Sequence, residues 1–304
     1  MPSQYADIIA LCEREGCAFR ENEPMLNHTS FKIGGPADLF LIPSSLAQIE
    51  RLLPVIRQEG CPLSIIGRGS NLLVSDNGVR GVVLALTGSL GEMEQTEDGV
   101  ILCQAGASLD RLCRFALEKR LTGLEFAFGI PGSVGGAVYM NAGAYGGEIK
   151  DVIRSASHID KDGKLSAFTA DELDLSYRHS RYTGEEACIV SAAFALMPGD
   201  PEAIGARMEE LKARRRQKQP LEYPSAGSTF KRPQGSYASA LIDQCGLKGY
   251  RVGGAMVSEK HAGFLINYDH ASCAEMLALI EDVKRIVKER TGYSLECEVK
   301  MLGI

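Results

Sequence analysis

The chain lacks the basic excess that nucleic-acid binding demands. Lysine and arginine number 33 against 39 aspartates and glutamates, for a formal net charge of −6, which argues against a general nucleic-acid partner. Any Cys-x-x-Cys spacing is also missing. The nine cysteines are an odd number set mostly in apolar contexts, so they read as free thiols in a reducing compartment rather than a disulfide framework. His28, His158, His179, His261 and His270 show neither His-Glu-x-x-His nor a Cys/His ligand spacing, so no metal is expected. The opening MPSQYADIIALCEREGC has early acids and no basic-then-apolar build; it does not read as a secretory signal, and the expected location is the cytoplasm. Internal repeats, coiled-coil heptads and low-complexity tracts are not found.

The most informative absence is local. Between Glu125 and Glu148 runs FAFGIPGSVGGAVYMNAGAYGG, residues 126–147, without a single charge. An uncharged run of this length matches a membrane span on length alone. Gly129, Gly132, Gly135, Gly136, Gly143, Gly146 and Gly147, together with Pro131, speak against a spanning helix, and no membrane insertion is expected. Glycine serves where backbone takes positive φ or comes close to something else. The run therefore suggests backbone wrapped around a bound group through its own N–H donors, and a large, flat, partly apolar cofactor with a phosphate tail suits such a lining.

With 304 residues, 45% of them hydrophobic and 24% charged, the composition is that of a soluble globular enzyme with room for two domains. Patterning gives an amphipathic helix over 3–16, strand–turn–strand over 27–43, and a serine-capped helix over 44–60 despite Pro54. Strands are expected over 79–86 and 100–107, a capped helix over 108–121, and a hairpin around Asp162-Gly163 over 153–169. A further strand follows over 187–196, then a helix over 198–218, ended by Pro220 and Pro224 at the best candidate boundary. Helices over 236–246 and 273–292, strands within 254–267 and a last strand over 295–302 complete an α+β chain.

Several short constellations carry chemistry. Gly67-Arg68-Gly69-Ser70-Asn71-Leu72 follows an apolar strand, but the third glycine of a dinucleotide fingerprint is missing and the next element reads as a strand, so both the Rossmann and P-loop patterns fail. What survives is a nest of backbone N–H groups suited to pyrophosphate. Tyr177-Arg178-His179 sits in a run of aromatic and cationic residues; arginine can hold a carboxylate bidentately, and a solvated turn is the competing reading. Arg214 to Lys218 closes a helix, where cations complement the dipole, with Lys218 also within reach of a phosphate. Ser228 lies in Ser225-Ala226-Gly227-Ser228 without a Gly-x-Ser-x-Gly context or triad partners; it is either a turn residue or a positioned proton donor. Glu296 and Glu298 alternate with apolar residues on the last strand, so both face one side, solvated or lining a cleft.

Together TSFKIGGPAD (29–38), IIGRGSNLLVSD (65–76), GIPGSVGGAVYMNAGAYGGEI (129–149), YRHS (177–180), AGSTFKRP (226–233), LIDQCGLKGYRVGGAMVSEKHAGFLIN (241–267) and LECEVKMLG (295–303) resemble, in order and over essentially the whole chain, the UDP-N-acetylenolpyruvoylglucosamine reductase family, also called UDP-N-acetylmuramate dehydrogenases. The resemblance implies a two-lobed FAD-binding domain of the vanillyl-alcohol-oxidase (PCMH) type over 21–200, with lobes of about 21–80 and 81–200 behind a helix in 1–20, and then an α+β substrate-binding domain over 201–304 whose last strand returns to the active site. It implies a monomer using FAD, with NADPH as co-substrate, that reduces a UDP-sugar enolpyruvyl ether to UDP-N-acetylmuramate for peptidoglycan: hydride from flavin N5, proton from a serine.

The family's serine falls on Ser228, its arginine on Arg178 and its late glutamate on Glu298 rather than Glu296. A bare carboxylate at Glu298 would repel the developing charge, so Glu298 is expected to be protonated or bridged through Arg178. The expected cofactor contacts are Gly67, Arg68, Gly69, Ser70, Asn71, Leu72, Ile130, Pro131, Gly132, Ser133, Gly135, Gly136, Ala137, Asn141, Gly143 and Ala144. Tyr145, Tyr177, Lys218, Gly227, Lys231 and Arg232 are candidates for substrate contact. The stretch between His179 and Pro201 is too short for the tyrosine-bearing loop of one subclass, which marks this chain as the shorter kind. The competing readings are another flavin oxidase of the same fold, which would lose Ala-Gly-Ser-x-Phe-Lys and Tyr-Arg, and a flavin-free nucleotide-sugar binding module.

Overall fold

The computed structural model describes residues 4–88 and 90–304. The first residue of the helix expected over 3–16, Ser3, lies outside them; the helix that is described, α1, runs Ala6–Glu15. The chain divides into two compact units, one of residues up to 21, 39–68 and 81–214, the other of 22–38, 69–80 and 215–304.

In the first unit a five-stranded antiparallel sheet runs in the order Leu165–Thr169, Ile153–Asp160, Ala187–Ala195, Val100–Gln104, Met93–Glu97. The hairpin at its edge turns where expected. The Asp160 carboxylate accepts the N–H groups of Asp162 and Lys164, both at 2.9 Å, and Gly163 takes φ +80. In a second, four-stranded sheet Leu63–Ile66 pairs in parallel with Val82–Ala85. Helices α2 (Leu46–Gln58) and α3 (Leu109–Glu118) begin where a serine stops the preceding strand pattern: Ser45 Oγ accepts from the Gln48 N–H and Ser108 Oγ from the Arg111 N–H, each at 3.3 Å. Their buried residues recur every three or four positions, Ile49, Leu52, Leu53 and Ile56 in α2 and Leu109, Leu112, Cys113 and Ala116 in α3. These stripes join Phe126, Phe128 and Phe194 in one apolar core. Helix α4 (Val134–Tyr139) and α5 (Pro201–Lys218) complete the helices of this part of the chain.

The second unit contains helices α6 (Ala238–Gln244) and α7 (Cys273–Thr291) and a three-stranded antiparallel sheet, Arg251–Val252, Ala255–Val257 and Leu265–Asn267. Phe31, Leu73, Ile242, Leu265, Met276, Leu279, Ile280 and Val283 share its core. The N-terminus of α7 is fully provided for. Ser272 and Glu275 form a reciprocal capping box, and the Asp76 carboxylate accepts the Cys273 and Ala274 N–H groups at 2.7 and 2.9 Å.

Two expectations fail locally. The segment 27–43 is not strand–turn–strand: Met25–His28 is a 3-10 turn and only Pro36–Ile42 is a strand. Thr29 Oγ1 donates to the Ile33 carbonyl and accepts the Ile33 N–H, which closes a local loop in place of a ladder. The last strand is also shorter than 295–302. It spans Lys300–Leu302, in parallel register with Leu72–Val74, and the residues before it are held by an isolated bridge from Cys297 to Phe230. Among the described residues, no helix is long and apolar enough to cross a membrane.

Candidate active-site residues

In the first unit the charge-free run folds back on its own neighbours. Ser133 caps α4 by accepting the Gly136 N–H at 3.3 Å, and the Val134 and Gly135 N–H groups donate to the Ala107 and Ala105 carbonyls, both at 2.9 Å. A Cβ on Gly135 would stand 2.9 Å from that of Ala105, and one on Gly67 would collide with Ser133 Oγ. These glycines are therefore required by close protein packing as well as by any bound group. Ser133, Gly135, Ala137 and Asn141 are buried, while Ile130, Pro131, Gly132 and Gly136 keep surface. An accessible, uncharged stretch of backbone fits a flat cofactor with few side chains in the way.

The run ends in a two-residue hairpin. Gly143–Ala144 pairs with Gly147–Glu148, leaving Tyr145 and Gly146 at the tip with φ +54 and +91, the doubly left-handed geometry of a type I′ turn. Tyr177 and Arg178 occupy a second tip, closed by reciprocal bonds between Ser176 and His179 at 3.2 and 3.1 Å. Arg178 takes φ +56, and its guanidinium lies 5.0 Å from the Tyr177 ring centre.

Asn141 ties the two tips together. Its amide donates to Glu148 Oε2 and to the Ser176 carbonyl, both at 3.0 Å, and its Oδ1 accepts the Lys150 N–H at 2.9 Å. It is 1% exposed, so its side chain supports the backbone rather than facing a ligand. Ser180 Oγ, donating to the Tyr139 carbonyl at 2.8 Å, anchors the other side of the second tip. The Lys150 ammonium, 2.9 Å from Glu148, holds that carboxyl below its usual range, aided by Asn141 and the Arg178 charge. Glu148, Lys150 and Ser180 were not singled out by sequence; the signal available was the acid that ends the uncharged run.

In the second unit, Ser228 is exposed on a segment held from both sides. Thr229 N–H donates to the Gly263 carbonyl at 2.9 Å, Thr229 Oγ1 accepts the Leu265 N–H at 3.2 Å, and the Glu298 N–H donates to the Thr229 carbonyl at 2.8 Å. The Phe230–Cys297 bridge fixes this register, so Glu298 lies across from Thr229, next to Ser228. Asn71 Nδ2 donates to the Glu298 carbonyl at 3.2 Å and the Asn71 carbonyl accepts the Lys300 N–H at 2.9 Å. The Gly69 turn, at φ +61, is packed so closely on the His28 carbonyl that any Cβ would clash. Leu72 opens the strand beside Lys300, Ser70 is half-buried, and Arg68, in the first unit, is exposed.

The two late glutamates have different surroundings. Glu296 is exposed and ion-paired with Lys231, whereas Glu298 is half-buried. Lys231 thus has a protein partner, Arg232 stacks 4.6 Å from the Tyr237 ring centre, and Lys218 is exposed with its charge felt at His261. Burial holds His261 below its ordinary titration range, and its Nδ1 accepts the Gly263 N–H at 3.1 Å. Gly227 takes φ +76 just before Ser228.

Comparison with known proteins covers most of the chain. A family model described as "FAD binding domain" matches residues 37–169, and one described as "UDP-N-acetylenolpyruvoylglucosamine reductase, C-terminal domain" matches residues 219–302. A UDP-N-acetylenolpyruvoylglucosamine reductase of Lachnoclostridium phytofermentans is 50% identical over 298 residues, covering 97% of this chain and 95% of the relative. That of Syntrophomonas wolfei is 50% identical over 282 residues, covering 93% and 94%. The crystal structure of the UDP-N-acetylenolpyruvylglucosamine reductase from Thermus caldophilus matches with a TM-score of 0.80 at 33% identity, covering 94% of this chain and 98% of that one.

Proposed function

The chain belongs to the UDP-N-acetylenolpyruvoylglucosamine reductase family, and we propose that Ser228, Arg178 and Glu298 carry its reaction. The activity is the FAD-dependent reduction of a UDP-sugar enolpyruvyl ether, a step toward peptidoglycan precursors. Bound FAD supplies hydride chemistry, with NADPH as the source of electrons. The residues proposed to hold it are the 67–72 turn and the accessible backbone of 130–136 and 143–144.

The protein's own part is electrostatic and protonic. Addition of hydride to the methylene carbon sends negative charge toward the substrate carboxylate, so a cation there lowers the barrier. Arg178 is that cation. The adjacent carbon then takes a proton from the Ser228 hydroxyl. Glu298, on the neighbouring segment, serves in its protonated form or with its charge offset by Arg178, since a free carboxylate would oppose the developing charge. Tyr145, Tyr177, Lys218, Gly227 and Arg232 are proposed substrate contacts; Lys231 has the same proposed role once released from Glu296. Free thiols at all nine cysteines, eight of them buried, suit a reducing cytoplasm.

The observation that carries this reading is the mounting of Ser228: an exposed hydroxyl whose neighbours are bonded through the main chain on both sides. Its test is a stopped-flow pair of half-reactions on the flavin-loaded protein. In Ser228→Ala, bleaching by NADPH keeps its rate, while recolouring by the enolpyruvyl sugar nucleotide slows by about 10²- to 10⁴-fold. Equal recolouring rates would overturn the role of Ser228.

A further inference from the structure

The last turn of α1 brings together two cysteines that the reaction does not use. Gly16 takes φ +64, its N–H reaches the Glu13 carbonyl at 3.4 Å, and the Cys17 N–H donates to the Cys12 carbonyl at 2.8 Å. These are the two closing bonds of a Schellman motif, in which the residue after the left-handed position packs its side chain on the residue five earlier. Here both positions are cysteine. Each thiol shifts the acidity of the other, and the Cys17 S–H points to the Ala18 carbonyl at 3.7 Å. The motif sets these two side chains against each other, the approach that disulfide formation requires.

The two sulfurs differ. The hydrogen bond from Cys12, joined by the Ile42 N–H, lowers the Cys17 thiol below its ordinary range, while the same bond and burial push the Cys12 thiol up. One is therefore the nucleophile and the other remains a protonated partner in contact with it, the division between attacking and resolving thiols. Elsewhere burial dominates, pushing the Cys103 and Cys188 thiols up to about 12.

We propose that Cys12 and Cys17 form a dithiol modification site that takes a peroxide and closes to a disulfide across the C-terminus of α1. The Cys17 sulfur attacks one peroxide oxygen; the O–O bond breaks, the departing oxygen takes the Cys17 thiol proton and leaves as water, and Cys17 becomes a sulfenic acid. Cys12 then attacks that sulfur, the S–S bond forms, and the hydroxyl departs as a second water with the Cys12 proton. Two thiols lose two electrons and one peroxide becomes two waters. Cys17 is 4% exposed and Cys12 0%, so reaction proceeds through local opening. Helix α1 suits that, being ten residues long with no side-chain cap at Tyr5.

Trypsin provides a clean test, because Arg14 lies between the two cysteines. The full-length, flavin-loaded protein is treated with hydrogen peroxide, alkylated and digested. The expected product has lost the mass of two hydrogens, and the peptide ending at Arg14 stays joined to Glu15–Arg20 until reductant is added, before any other cysteine is modified. In Cys12→Ser a dimedone-type reagent traps a sulfenic acid on Cys17; in Cys17→Ser neither product forms. Oxidation that starts at another cysteine, or that stops at a sulfenic acid on Cys17 in the unaltered chain, would overturn the proposal without recourse to either variant.

Discussion

The substitution Asn141→Asp exchanges one NH2 for an oxygen and leaves shape and backbone almost untouched. Aspartate tolerates the φ of +40 at this position as asparagine does, so backbone strain is not introduced. The Lys150 N–H keeps an acceptor. The Ser176 carbonyl and Glu148 Oε2, both 3.0 Å away, lose their donor and face an oxygen instead. Leaving a buried acceptor unsatisfied costs about 1–3 kcal/mol. Neither bears that in full: the Ser176 carbonyl keeps the His179 N–H at 3.1 Å, and Glu148 keeps Lys150 at 2.9 Å. The sum is about 1–2 kcal/mol at neutral pH, most of it from setting a second carboxyl against Glu148.

Part of that loss depends on pH. Two carboxyls in contact cannot both ionise cheaply, so one of the pair titrates above its unfolded value. A group raised in the folded state stabilises fully below its unfolded pKa and loses that contribution as pH rises through the folded one. Urea unfolding of Asn141→Asp should therefore show a deficit that shrinks toward pH 5 and widens toward pH 8. Asn141→Ala, lacking the second carboxyl, should show a deficit flat over the same range. With Arg178 mounted on the tip that Asn141 holds, KM for the sugar nucleotide should follow the same pH trend in the aspartate variant. A deficit independent of pH, or no deficit, would refute the role given to the Asn141 amide.

Two further outcomes follow from other caps and buried groups. Asp76→Ala removes the acceptor for two N–H groups at the start of α7 and should cost about 1–2 kcal/mol, read as a lower urea midpoint with unchanged slope. Burial holds His158 below its ordinary range, beside the Tyr182 hydroxyl at 3.1 Å; a depressed folded pKa gives stability that is present above the unfolded value and lost as pH falls through the folded one. His158→Phe should flatten the acid limb of the stability curve below about pH 6.5 relative to the parent, and an unchanged acid limb would exclude His158 as a source of that dependence.

Much of the fold was legible because local chemistry and tertiary packing agree. Ser45 and Ser108 mark helix starts both in the sequence and in their bonds, and the Asp162-Gly163 hairpin turns on Asp160 as its pattern implies. The misreadings are places where a side chain satisfies the backbone in a way that spacing does not reveal. Thr29 closes a loop on Ile33 inside an alternating stretch, and the residues ahead of Lys300 make one isolated bridge and no full ladder. Asn141 was expected among the cofactor contacts, but nothing in the run shows that its amide points inward. Glu148, far from Tyr177 and Arg178 in the chain, becomes a neighbour of that tip only through the hairpins.

The pair of tips bearing Tyr145 and Arg178 also bears on the thermodynamics of recognition. Each is a two-residue turn whose stems are bonded within the same unit, so the guanidinium and the ring are displayed on short, stiff mounts rather than on long loops. Little conformational entropy remains to be lost there when an anion arrives. Affinity at these residues should then come with a small ordering penalty, and a ligand mismatched by an ångström or two should be rejected by shape rather than accommodated by movement.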